Sequence, residues 1–287
     1  MDERTVRIGV ALGGGSARGY AHIGALAALE RADLAPEVVV GTSFGAVVGA
    51  LYALGDGIDA MRARAERMRR RDVLPKVVDF GLHRGALFRG RRLEAYFDRL
   101  VDGRSFEDLS RTLVVTATDA DTGERVRLER GPLAPALRAS ASLPGIFAPV
   151  VLEGRRLIDG GIGAPVPVET LDAFDLDVRL GIGAGAVADD SVTIRAVRRA
   201  LAHPWGSDVH RRLRKGGPGA VGRLARALAW TADGYGAAAP HGLQVHTRPP
   251  IHWLRFDRAG DAIRAGDTAL EGALPALRTA VRRAGAR

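Results

Sequence analysis

Apolar stretches and amphipathic ones alternate along the first two thirds of the chain. Residues 6–12 (VRIGVAL) read as a buried strand that ends in a run of glycines, and a helical pattern follows from about residue 18 to 30. Val38, Val39 and Val40 predict a second short strand, and residues 45–54 are small and apolar enough for a buried helix. Helical periodicity returns at 59–71 and 91–101. Residues 113–118 and 125–128 alternate as strands across the polar turn 119–124, a hairpin pattern. Further strands are expected at 156–158, 178–182 and 243–247, with a closing helix over 260–283. Strands separated by helices predict an α/β fold with parallel βαβ units in a sheet covered on both faces. Residues 186–239 read less regularly, as Arg-rich helical pieces broken at His203-Pro204 and Gly216-Gly217-Pro218. With no internal repeat or low-complexity linker, one domain over 1–287 is expected.

Composition narrows the chemistry. A chain of 287 residues with 46% hydrophobic content suits a globular α/β domain. There is no cysteine, which excludes disulfides, thiolate metal sites and cysteine nucleophiles. No stretch approaches the roughly 18 apolar residues of a membrane span. The opening MDERTVRIGV lacks the layout of a secretory signal, so a cytoplasmic location is expected. The net charge of +9 attracts polyanions, whether nucleic acid or an anionic lipid surface. Because the basic residues do not form one block, the same charge also suits ordinary solvated helix faces.

Three motifs carry candidate chemistry. The first, Gly13-Gly14-Gly15-Ser16-Ala17-Arg18-Gly19, joins a strand to a helix, where converging N–H groups could hold a phosphate, a dinucleotide or a developing oxyanion. A P-loop is excluded because Tyr20 and Ala21 stand where Lys and Ser/Thr are needed. The dinucleotide pattern fails at Ser16 in one register and at Arg18 in the other. The second, Gly41-Thr42-Ser43-Phe44-Gly45, lies at another strand-to-helix junction, and its small flanks permit the sharp elbow that exposes a nucleophilic serine. Such a serine needs a base. None of His22, His83, His203, His210, His241, His246 and His252 is singled out by its setting, and an elbow after only the second strand argues against the usual triad. The third motif, Leu157-Ile158-Asp159-Gly160-Gly161, ends a strand on a carboxylate that could serve as base if burial raises its pKa. Alone, an Asp-Gly pair equally suits an Asx-turn. Asp119-x-Asp121-x-Gly123 resembles the start of a calcium loop, but lacks the rest of that spacing, so a hairpin turn is expected.

Taken in order, these motifs resemble the patatin-like phospholipase family, particularly its short bacterial members. The similarity rests on LGGGSARGYAHIGAL (12–26), VGTSFGA (40–46), Ala117-Thr118-Asp119, Thr122-Gly123, RASASLPGIFAPV (138–150) and Asp159-Gly160-Gly161. It covers about 6–182, is thin afterwards apart from 263–269, and leaves 186–250 as a variable, Arg-rich helical region. The resemblance implies a three-layer α/β fold with a mainly parallel central sheet flanked by helices. It also implies a Ser43–Asp159 dyad, with the amides of Gly14, Gly15 and Ser16 as oxyanion hole and Arg18 shaping that loop. Gly19, Gly41, Gly45, Gly160 and Gly161 support the turns. Ser16 stands where many members have glycine, and its Cβ limits the backbone there. The implied activity is hydrolysis of lipid or phospholipid acyl esters through an acyl-enzyme, with no metal or cofactor. Acyl transfer on the same dyad and a non-catalytic binding role are the alternatives. No nucleic-acid partner is expected, while the charge and the amphipathic run 221–230, with Arg223 and Arg226, allow peripheral contact with an anionic membrane surface.

Overall fold

The computed structural model describes residues 6–83, 86–144, 146–185 and 242–285. The stretch 186–239 with its amphipathic run, together with His203, His210 and His241, lies outside the described residues, as does the side chain of His83.

Strand β1 (Ile8–Leu12) is buried along its whole length, as is β2 (Val38–Thr42) beside it. Both pair in parallel because helix α1 (Ala21–Arg31) carries the chain back across one face between them. Alternation sorts their side chains to opposite faces. Val10, Leu12 and Val39 join a large core with α1 and α2 (Phe44–Leu54), whereas Ala11, Val38 and Val40 join a smaller one. That second core is closed by Val168, Leu171 and Leu176, carried by the 3-10 segment Val168–Ala173 and the turn after it.

The expected helix over 59–71 is two helices, α3 (Ile58–Glu66) and α4 (Arg70–Val77). The Asp72 carboxylate accepts the Arg69 N–H at 3.2 Å, the reach-back that starts a new helix. A two-stranded unit, β3 (Phe80–His83) and β4 (Ala86–Phe88), then leads into α5 (Arg91–Leu100). The expected hairpin is present as β5 (Thr112–Asp119) and β6 (Arg125–Leu128). Asp119 shapes its turn by accepting the N–H groups of Asp121 at 2.9 Å and Thr122 at 3.2 Å. Helix α6 (Leu133–Ser140) precedes β7 (Val150–Leu152) and β8 (Arg155–Asp159), and β9 (Val178–Gly183) and β10 (Leu243–His246) complete the sheet.

The strand order is β10-β9-β1-β2-β5-β8-β7, with β6 also on β5. The run from β10 to β5 is parallel, and β6, β7 and β8 attach antiparallel. From β1 the chain first builds outward through β2 and β5, then returns to place β9 on the other side. The carboxyl end of β1 is therefore a switch point, the usual place for a site in an open α/β sheet.

Helix α7 (Ala259–Gly285) closes the fold against α1. A Cβ added at Gly24 would stand 1.9 Å from the Ile263 carbonyl oxygen, and one at Gly266 would stand 1.8 Å from that of Ala21. The two helices thus cross backbone to backbone through a reciprocal glycine contact. Among the described residues, no helix is long and apolar enough to cross a membrane.

Candidate active site

The sheet register brings the distant motifs to one level. Thr42, the last residue of β2, pairs with Thr116 of β5. Ser43, one residue further on, stands level with Ala117, and Ala117 pairs across β5 with Asp159. Because β8 runs antiparallel to β5, it ends on Asp159 beside the serine. The Ser43 side chain thus lies close enough to the Asp159 carboxylate to act on its ionisation.

Ser43 occupies φ 52° and ψ −123°, a left-handed backbone that costs a residue with a Cβ roughly 1–3 kcal/mol. Its small neighbours make that turn possible. A Cβ at Gly41 would lie 2.4 Å from the Ala46 Cα, and one at Gly45 2.3 Å from the Leu12 carbonyl oxygen. The elbow is further secured beneath the serine, where the Thr42 and Thr116 hydroxyls are 2.6 Å apart. Ser43 is half-buried and remains reachable from solvent.

Asp159 is buried, and burial raises its carboxyl pKa from 3.8 to about 6. The Gly161 N–H, bound to Oδ1 at 2.7 Å, and the Ser43 hydroxyl both act in the opposite direction, but burial prevails. Gly160 lets the strand end turn sharply, since a Cβ there would lie 2.3 Å from the Thr116 carbonyl oxygen.

The glycine loop lies alongside. A Cβ built at Gly14 would come 3.4 Å from the Ser43 Cβ, and one at Gly19 would meet the Phe44 ring at 2.6 Å. The Gly14 N–H donates to the Pro165 carbonyl at 3.0 Å, whereas the N–H groups of Gly15 and Ser16 make no hydrogen bond among the described residues. Both of those residues are partly exposed. Ser16 adopts φ 51°, the left-handed conformation that its Cβ disfavours and that glycine would take without cost. Arg18 is buried, its Nε donating to the Ile251 carbonyl at 2.9 Å. With the Ala17 N–H on the Trp253 carbonyl at 2.9 Å, it anchors the loop to the segment after β10.

Two anchoring residues escape a reading of motifs. Ser140, within the RASASLPGIFAPV stretch, has its hydroxyl 2.7 Å from the Ser43 backbone nitrogen. His22 is fully buried with its Nε2 2.7 Å from the Gly13 carbonyl oxygen, so that nitrogen carries the proton and the ring supports the loop. The conspicuous turn motif around it was the available signal for His22, whereas nothing local marks Ser140. Burial lowers the His22 pKa from 6.5 to about 4, partly offset by the Gly13 hydrogen bond. The unfolded chain binds this proton more readily than the folded one, so His22 favours folding fully above pH 6.5 and loses that contribution as pH falls through 4. The loss amounts to roughly 3 kcal/mol. Urea unfolding across this range should show it, and His22→Gln, which can still donate to Gly13 but does not titrate, should flatten it. Equal slopes for both proteins would exclude His22 as the responsive group.

The chain is similar to several known proteins. The chain is 34% identical over 176 residues to an uncharacterized NTE family protein of Mycobacterium bovis, covering 61% of this chain and 48% of that one. It is 34% identical over 168 residues to a patatin-like phospholipase domain-containing protein of Caenorhabditis elegans, covering 57% of this chain and 12% of the relative. The chain thus spans half or less of the length of these curated relatives. Among solved structures, VipD from Legionella pneumophila aligns with a TM-score of 0.49 at 15% identity, over 94% of this chain and 67% of that one. Residues 10–172 match the family profile of patatin-like phospholipase, and the chain belongs to that family.

Proposed function

We propose that this protein is a serine lipid acyl hydrolase that cleaves carboxylic esters of lipids through a Ser43–Asp159 dyad. The observation that carries the reading is the buried Asp159 carboxylate brought by the sheet register to the level of the strained Ser43 elbow. A carboxyl group with a pKa of about 6 is largely ionised at neutral pH yet basic enough to take a proton as it leaves the attacking hydroxyl.

In the proposed reaction Ser43 Oγ attacks the ester carbonyl and Asp159 accepts its proton. The tetrahedral oxyanion forms beside Gly15 and Ser16, whose N–H groups make no other bond among the described residues. The Gly14 amide, bound to Pro165, holds the loop in place. Each well-aimed donor is worth about 3–4 kcal/mol to the transition state. Asp159 then protonates the departing alcohol or lysolipid, leaving an acyl ester on Ser43. Water attacks that ester by the reverse route, with Asp159 as base. The family supports lipid esters as the substrate class, and Arg18 serves the loop rather than the reacting atoms.

A fluorophosphonate probe tests the nucleophile directly. Wild type should be labelled on Ser43 and Ser43→Ala should not, with peptide mapping to locate the adduct. Equal labelling of the two proteins would remove Ser43 from the mechanism.

A further inference from the structure

The carboxyl end of α6 contacts both members of the dyad through separate groups. The Ser140 hydroxyl accepts the Ser43 N–H at 2.7 Å and donates to the Thr116 carbonyl at 2.7 Å. Two residues on, the Ser142 carbonyl accepts the Asp159 N–H at 3.0 Å. Both serines are fully buried.

This short segment is itself pinned from behind. Arg138 is 1% exposed, and its guanidinium donates to the carbonyls of Gly90, Arg89 and Ala148, each at 2.9 Å. It also donates to the Ser142 hydroxyl, which in turn donates to the Arg138 carbonyl at 2.7 Å. A buried cation directed at four neutral acceptors leaves the segment little freedom to move.

We infer that the end of α6 is the template that sets the spacing of nucleophile and base, with Ser140 the positioning residue for Ser43. The inference rests on the dyad proposed above. The Ser43 backbone is strained, at φ 52°, and a strained turn persists only when its surroundings over-determine it. A hydroxyl that fastens the serine's own N–H to β5, the strand between Ser43 and Asp159, supplies that constraint where the hydroxyl's aim is decided. The Ser43 N–H is thereby committed to the scaffold and is not an oxyanion donor.

The test compares Ser140→Ala, Ser140→Cys and Ser110→Ala with wild type on a soluble short-chain ester and in fluorophosphonate labelling. Ser110 provides the control, because its hydroxyl donates to the Ala53 carbonyl at 2.9 Å, at the far end of α2. Ser140→Ala should lower kcat roughly 10–100-fold with KM within about twofold, the usual cost of a small misplacement. Ser140→Cys keeps the packing with a weaker bonding group and should fall between it and wild type. The acid limb of kcat/KM should move to higher pH in both, because a loosened Ser43 hydroxyl supports the Asp159 carboxylate less well. Ser110→Ala should lose some thermal stability with no change in kcat or in that limb. Wild-type kcat in both Ser140 variants, or losses that only track the folded fraction, would overturn the inference while leaving the dyad intact. Failure of wild type to label would overturn the dyad instead.

Discussion

Asp159→Asn is expected to lower kcat by roughly 10⁴-fold and to make the protein more stable at pH 8 by up to about 3 kcal/mol. The two effects have one cause. Burial lifts the Asp159 pKa from 3.8 in the unfolded chain to about 6, so the folded state holds the proton more tightly. A group raised in this way favours folding fully below pH 3.8 and loses that contribution as pH rises through 6. At pH 8 the buried charge therefore opposes folding, by an amount that the difference between the two pKa values puts at roughly 3 kcal/mol. Asparagine keeps an oxygen for the Gly161 N–H and carries no charge, but it cannot take the Ser43 proton. Urea titrations of both proteins at pH 8 and near pH 4 would measure the gain, which should shrink at the lower pH. Comparison at equal pH cancels the His22 contribution. In wild type, kcat/KM should fall as pH drops below about 6. An Asp159→Asn variant that retains activity, or that is less stable at pH 8, would count against the buried-base mechanism.

A second large effect is expected at the crossing of α1 and α7. Gly266→Leu should destabilise the fold by about 3 kcal/mol or more, lowering Tm by roughly 10 °C. The reason is steric, since the first carbon of any side chain at Gly266 would sit 1.8 Å from the Ala21 carbonyl oxygen. Backbone cannot swing aside as a flexible side chain would, so the helices must separate. Gly272, on the same helix, has open space around its Cα, and Gly272→Leu should leave Tm within a degree or two. Thermal melts of the two variants decide the matter, and similar Tm values for both would refute the close crossing.

The elbow at Ser43 and the turn at Asp159 were each visible in the sequence as strand ends beside glycines, and the family resemblance joined them into the proposed dyad. The glycine loop was legible for the same reason. What stayed hidden depends on pairing. Alternating residues do not reveal strand direction, so the antiparallel entry of β8, which delivers Asp159 beside Ser43, could not be read from Arg156 to Ile158. Strand β7 has three residues and α6 eight with a proline inside, too short for periodicity to register. Ser140 acts on a residue 97 positions away, and the Gly14 amide is taken by the Pro165 carbonyl from a distant part of the sequence. Such contacts exist only once the sheet has assembled.

The anchoring of the glycine loop also bears on the order in which the protein is made. A nascent chain that has emerged through Gly183 already holds Ser43, Asp159 and β9 beside β1. It does not yet hold the Ile251 and Trp253 carbonyls that fasten Arg18 and Ala17, the first of them 233 positions downstream of its partner. A growing polypeptide thus holds Ser43 beside a loop already tied to Pro165 and Ile182 but still lacking its Arg18 and Ala17 anchors. The loop gains its last anchors only after residues 251–253 have been added.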